Sequence, residues 1–138
     1  MATFVIASSM KSVPMIYGGQ EIGYAKRIDY FDKVAIDWST TDFDMLKEYK
    51  KIIAFRNTSE ALRKGKVTGY SSNEVSAFTM ETTSDKVLIV ANIKNKNVTY
   101  TAPTALANTT WKDALTGNSV TIGSEINLAA YQYLILKK

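Results

Sequence analysis

The sequence predicts an α+β chain, with a helix-bearing first half and an antiparallel β-sandwich behind it. Two observations carry that expectation. Up to about Lys64 the apolar residues recur at helical spacing or in one short unbroken run. From Lys66 onward, Val-, Thr- and Tyr-rich runs alternate with turn residues every 8–12 positions or so, the pattern of a sandwich.

The elements follow in order. Thr3 to Lys11 is compatible with the tail of a helix. Val13-Pro14-Met15-Ile16-Tyr17 is apolar throughout, as a strand buried on both faces would be. Pro14 falls early in that run, where a missing N–H is tolerated. Gly18-Gly19 then permits a tight turn and presents Gln20 and Glu21. A long loop from Gln20 to Thr40 holds Asp29, Asp32 and Asp37 with the aromatics Tyr24, Tyr30, Phe31 and Trp38. Loops of that length inside a domain are usually functional or disordered, and the aromatics argue against disorder.

Thr41, with Asp44 three residues on, predicts a helix start. Phe43, Leu46, Tyr49, Ile53 and Arg56 define its inner stripe, widened by Ile52 and Phe55, while Lys47, Lys50 and Lys51 fall outside. Thr58-Ser59-Glu60 starts a second short helical turn that ends at Gly65. Six or seven strands are expected beyond it: Val67–Ser71, Glu74–Glu81, Lys86–Ile93, Val98–Ala102, one near Trp111, Ser119–Ile122 and Ile126–Leu136. The run KVLIVANI is apolar on both faces and belongs at the centre of the sheet.

Composition narrows the chemistry. The 138 residues include no cysteine and no histidine. Disulfides, Cys/His zinc sites, thiol nucleophiles and a Ser-His-Asp triad are therefore excluded. The net charge of +4 is spread along the chain with no basic block, so nucleic acid is not an expected partner. No run approaches the roughly 18 apolar residues of a membrane-spanning helix, and the N-terminus lacks the basic flank of a signal peptide. No metal and no cofactor are expected.

Taken together, VPMIYGGQEIG, the loop ending VAIDWS, and EYKKIIAFRNTSEALRKGKV resemble the end of the catalytic barrel of glycoside hydrolase family 13, the α-amylase family. VLIVANI, WKDALTGNSV and INLAAYQYLILKK resemble the sandwich that follows that barrel. The pattern departs from the family at Ser12, where a glycine is usual, and at Gly18, where a second aromatic is usual. The resemblance implies an α+β fragment. Residues 1–65 would supply the last strand and helices of a (β/α)8 barrel, and residues 66–138 an all-β antiparallel Greek-key sandwich.

It also implies a retaining enzyme whose Asp nucleophile, Glu acid/base and stabilising Asp all precede this chain. Such a pair of carboxyls stands about 5–5.5 Å apart across the glycosidic bond. The chain would then carry no catalytic residue. Its substrate-facing candidates are Tyr17, Gln20, Glu21 and Trp38, with Glu21 expected chiefly as a structural residue of the turn. The expected partner is an α-glucan such as starch, met through the rest of the barrel, and the parent would be secreted or cell-envelope associated. An open barrel edge at Val13–Tyr17 would favour self-association and loosen residues 1–64. A rival reading is a non-catalytic carbohydrate-binding or structural sandwich module. It requires exposed, coplanar aromatics among Tyr100, Trp111, Tyr131 and Tyr133.

Overall fold

In the computed structural model, residues 1–29 and 31–138 are described; Tyr30, expected among the loop aromatics, lies outside the described residues. Three helices precede eight strands: α1 (Ala2–Ser9), α2 (Phe43–Thr58), α3 (Glu60–Lys64), then β1 (Lys66–Gly69), β2 (Val75–Glu81), β3 (Lys86–Asn92), β4 (Val98–Thr101), β5 (Thr109–Asp113), β6 (Ser119–Ile122), β7 (Glu125–Leu128) and β8 (Tyr133–Lys137).

The larger sheet has six antiparallel strands in the order β1-β2-β3-β8-β5-β6, and β4 pairs with β7 in a smaller one. Strand β3 is central, pairing with β2 on one side and β8 on the other. Successive side chains of a strand point to opposite faces. Leu88 and Val90 therefore enter one core, with Ala77, Leu136, Tyr100, Trp111 and Leu128. Val87 and Ile89 enter a second core on the other face, with Phe78, Met80, Ile135, Phe4, Val5, Tyr49, Ile52 and Leu62. The first core is capped by β4 and β7, the second by the helices. Both faces of β3 are dry, which accounts for the continuous apolar run in its sequence. Each such aliphatic side chain contributes about 1.5–3 kcal/mol by leaving water.

Specific polar contacts fasten the helices to the sheet. The β2–β3 turn carries Asp85, whose Oδ2 accepts from Ser59 Oγ at 2.6 Å and from Ala61 N–H at 2.9 Å. Ser59 Oγ in turn accepts from Leu62 N–H at 3.2 Å, so the N-terminus of α3 is capped twice, once from the sheet. Tyr133 of β8 donates its hydroxyl to Glu48 Oε1 of α2 at 2.6 Å. Arg56 of α2 donates to the carbonyls of Ser8 and Ser12, satisfying the end of α1. Gly65 passes so close to the Ala61 carbonyl and the Glu81 amide that a Cβ would stand 2.5 and 2.8 Å from them. At the far end of β3, buried Asn92 donates to the carbonyls of Lys96 and Ala129 and accepts from Lys94 N–H.

Several expectations are corrected. Val13–Tyr17 forms no strand, and Val13 and Met15 are 93% and 77% exposed rather than buried. A strand needs neighbours on its edges, and none is offered here by the described residues. Only Ile16 leans on the helix-side core. Within residues 1–64, α1, α2 and α3 are regular helices packed on one face of the sheet. Helix α2 is capped by Asp42, which accepts from Met45 N–H at 2.9 Å, and Thr41 instead donates to the Trp38 carbonyl. Phe43, expected on the inner stripe, is exposed, and Tyr49 and Ile52 further along α2 are the buried residues of that helix. The last expected strand is two strands, β7 and β8, broken at Ala129–Gln132 where Tyr131 takes φ 57°.

Candidate functional site

The polypeptide between α1 and α2 holds every candidate residue. After Val13–Tyr17, Gly18 and Gly19 turn the chain against Ile36 and Tyr24. Gly19 has φ 85°, and a Cβ there would stand 2.9 Å from the Tyr24 Cβ, so only glycine fits without strain. The turn closes on itself: Gln20 N–H donates to the Tyr17 carbonyl at 2.9 Å, and Gln20 Oε1 accepts from Tyr17 N–H at 3.2 Å. A single 3-10 turn, Gln20–Ile22, follows and buries Ile22. The Ile22 carbonyl accepts from Asp42 N–H at 3.0 Å, joining this turn to the start of α2.

An open cleft of about 400 Å³ lies over the turn, lined by Tyr17, Gly18, Gln20, Tyr24, Lys26, Arg27 and Ile28. Its walls offer two phenol rings for apolar contact, the Gln20 amide, and the two cationic side chains of Lys26 and Arg27 as hydrogen-bond donors. Of the expected residues, Tyr17 and Gln20 meet in this cleft. Tyr17 is half-exposed at its rim. Lys26 and Arg27 were not singled out from the sequence. Their position two and three residues after Tyr24, beyond the Gly-Gly turn, is the signal that could have marked them.

Glu21 behaves differently. Its Oε2 is buried and has no hydrogen-bond partner among the described residues. It stands near the Tyr49 phenol, whose pKa is raised by burial and further by the Glu21 charge, while a hydrogen bond with Gln20 opposes the shift. Phe4 packs on the same Tyr49 ring at 4.3 Å. Glu21 therefore stands on the side of the helices, and its buried Oε2 makes no bond to the loop backbone among the described residues. Trp38 stands apart, on its own 3-10 turn Trp38–Thr40, and is 56% exposed.

Two of the loop aspartates, Asp29 and Asp37, serve local structure. Asp29 Oδ1 accepts from Phe31 N–H at 2.9 Å. Asp37 Oδ1 accepts from Ser39 Oγ at 2.6 Å and Ser39 N–H at 3.0 Å, and these bonds hold its carboxyl below the usual range. A carboxylate held ionised in this way is poorly placed to donate a proton. In the sandwich, Trp111 and Tyr100 are buried; the indole N–H donates to Thr109 Oγ1, and the Tyr100 hydroxyl to the Tyr70 carbonyl. Tyr131 is exposed and Tyr133 is tied to Glu48, so these four aromatics form no open platform.

Comparison with known proteins places this architecture. Residues 75–135 match the family described as Alpha-amylase SusG C-terminal domain. Alpha-amylase 2 of Dictyoglomus thermophilum is 27% identical over 124 residues, a stretch covering 82% of this chain and 21% of that protein. Similar solved structures include an Anoxybacillus α-amylase, at 20% identity and a TM-score of 0.79, covering 96% of this chain and 30% of that one. Another is AmyP in complex with maltose, at 18% identity and a TM-score of 0.77, covering 99% of this chain and 33% of that one. The chain thus spans about a fifth of the curated relative and about a third of these solved structures. At such identities the structural likeness establishes the fold, and the matched domain and curated relative supply the kinship. Residues 75–135 thus match the C-terminal domain of an α-amylase, and the chain as a whole is similar to α-amylases over most of its length.

Proposed function

We propose that this chain is the C-terminal portion of a retaining α-amylase-type hydrolase acting on α-glucans such as starch. Residues 1–65 complete its (β/α)8 barrel, and residues 66–138 form the trailing Greek-key sandwich. The observation that carries this reading is a juxtaposition. A sheet matching the amylase C-terminal domain is roofed by helices, and those helices flank an apolar segment, Val13–Tyr17, that pairs with no strand among the described residues and ends in a glycine turn. That is the condition of a barrel strand without its neighbours. The catalytic carboxylates belong to the polypeptide upstream, and this chain supplies none of them.

Its own contribution is positional. The Asp85 cap, the Tyr133–Glu48 bond and the shared core hold the sandwich rigidly against the last helices, and so against the end of the barrel. Tyr17 and Gln20 stand at the rim of the sugar-binding face, with Trp38 as a more distant stacking surface. Glu21 lies behind the turn. The burial of Trp111 and Tyr100 speaks against a stand-alone glycan-binding module, which would need such rings on its surface.

The test is hydrolysis of soluble starch by this chain alone and by the chain joined to a complete upstream barrel. The chain alone is expected to release no reducing sugar, and the joined protein to be active with retention of anomeric configuration. In the joined protein, Tyr17→Ala should raise KM more than it lowers kcat. Starch hydrolysis by the chain alone, or an inactive joined protein that is folded, would overturn the reading.

A further inference from the structure

We propose that the end of the sandwich carrying Tyr131 is a secondary glucan-contact site, where the Tyr131 ring stacks on an uncharged sugar and the amides of Asn97 and Asn127 bind its hydroxyls. The choice of an α-glucan as the sugar rests on the reading above. The site itself is built entirely from the sandwich.

The first observation is a strained backbone. Tyr131 has φ 57°, in the left-handed region. Glycine takes that conformation freely and asparagine readily, whereas a bulky aromatic residue holds it only at a cost. Burial does not offset the cost, since Tyr131 is 52% exposed.

The surroundings enforce the conformation instead. Tyr131 N–H donates to the Lys94 carbonyl at 3.2 Å, and Gln132 N–H donates to the Ala129 carbonyl at 3.0 Å. Asn92 N–H donates to the Gln132 carbonyl at 2.9 Å. Ala129 is fixed at both of its polar groups, its N–H by Gln132 Oε1 and its carbonyl by the amide of fully buried Asn92, each at 2.8 Å. A ring that the fold holds under strain, and holds in water, points to a role outside the fold.

The second observation is what lies beside the ring. An open hollow of about 270 Å³ is lined by Asn97, Val98, Thr99, Asn127, Leu128 and Ala129. Ala129 belongs to the turn that carries Tyr131, and Asn97 ends the turn whose Lys94 carbonyl holds it. Thr99 Oγ1 donates to Asn127 Oδ1 at 2.8 Å, which leaves the Asn127 N–H donors for a ligand. Exposed Asn97 adds a second amide.

No lining residue is charged, whereas Lys26 and Arg27 line the cleft at the Gly-Gly turn. An aromatic face beside neutral amides and a hydroxyl complements a pyranose, which has a flat C–H face and a rim of hydroxyls. One ring is not the platform of a stand-alone module. It gives a weak contact that raises the local concentration of a long glucan already engaged elsewhere on the enzyme.

The test is electrophoresis of the full chain through gels containing soluble starch, with titration by maltoheptaose for affinity. Starch should retard the chain. Tyr131→Gly and Tyr131→Asn both suit the backbone; each should weaken maltoheptaose binding at least about fivefold. Their denaturant midpoints should stay at or above that of the unaltered chain, because the strain is gone. Tyr131→Trp should still bind, and Asn127→Ala should bind more weakly than the unaltered chain. No retardation by starch, or retardation unchanged in both Tyr131→Gly and Tyr131→Asn, would overturn the proposal. A lowered midpoint in both would show the ring to serve the fold and overturn it equally. Starch hydrolysis by the joined protein, measured separately, would leave the catalytic reading standing in each of those cases.

Discussion

Helix α2 and the arc over residues 10–42 both carry large apolar side chains, and the two fare differently. Tyr49 and Ile52 of the helix are buried against Phe4, Val5 and the sheet, whereas Val13, Met15, Phe31 and Trp38 of the arc stand in solvent. Local composition does not separate them. What separates them is the presence of a complementary face: the helices meet the second face of the six-stranded sheet, and the arc meets nothing of comparable extent among the described residues. In this chain the sheet acts as a shared wall, with the sandwich core on one side and the helix core on the other. Its stability should therefore be concentrated on that wall and nearly absent from the arc.

Removing a side chain from the wall should cost the most. Ile89 is fully buried on the helix side of β3. Ile89→Ala is expected to lower unfolding stability by about 2–5 kcal/mol in a denaturant titration. Cutting the polar fastening should cost less. Asp85→Ala leaves the Ser59 hydroxyl and Ala61 N–H without their acceptor, for about 1–3 kcal/mol. The same titration checks it, with a double-mutant cycle against Ser59→Ala expected to show coupling.

Tyr133→Phe should cost about 0.5–1.5 kcal/mol near neutral pH through loss of the bond to Glu48. It also has a pH signature. Burial, then the Glu48 hydrogen bond and charge, raise the Tyr133 pKa well above the ordinary tyrosine value. The neutral phenol is thus favoured in the folded state. Its contribution is complete below the unfolded-state pKa and is lost as pH rises above about 10 toward the folded value. The native protein should weaken through that alkaline range, and the difference between it and Tyr133→Phe should shrink. At the bottom of the scale, Met15→Ala in the arc should change stability by no more than about 0.5 kcal/mol. A loss of several kcal/mol there would erase the contrast between arc and helix.

How far the sequence foretold this arrangement depends on where each element finds its partners. KVLIVANI could be placed at the centre of the sheet because its run of apolar residues leaves no side for water. Ser59 could be recognised as a cap because the amide it caps, that of Leu62, lies three residues on. The turn at Ala129–Gln132 was hidden, since it lacks glycine and proline and is closed by a Gln132 Oε1 bond to Ala129 N–H that no local pattern announces. Val13–Tyr17 reads as a buried strand because its residues are those of one; whether it is paired depends on polypeptide elsewhere. In the candidate site, Tyr17 and Gln20 come together because a glycine turn joins them over three residues. Glu21 and Trp38 were grouped with them by proximity in sequence, and the 3-10 turns send one toward Tyr49 and the other into solvent.

The account's central claim is that the helices and the sandwich share one sheet and open as one unit, leaving the arc outside. Native-state hydrogen exchange tests it most directly. Amides of α2 from Tyr49 to Ile53 and of β3 from Val87 to Ala91 should exchange with the same opening free energy, equal to that of global unfolding. Those of Val13, Met15 and Ile16 should exchange almost unprotected. Helix amides that open several kcal/mol below those of β3 would show the two layers to be separate units, and the claim would fail.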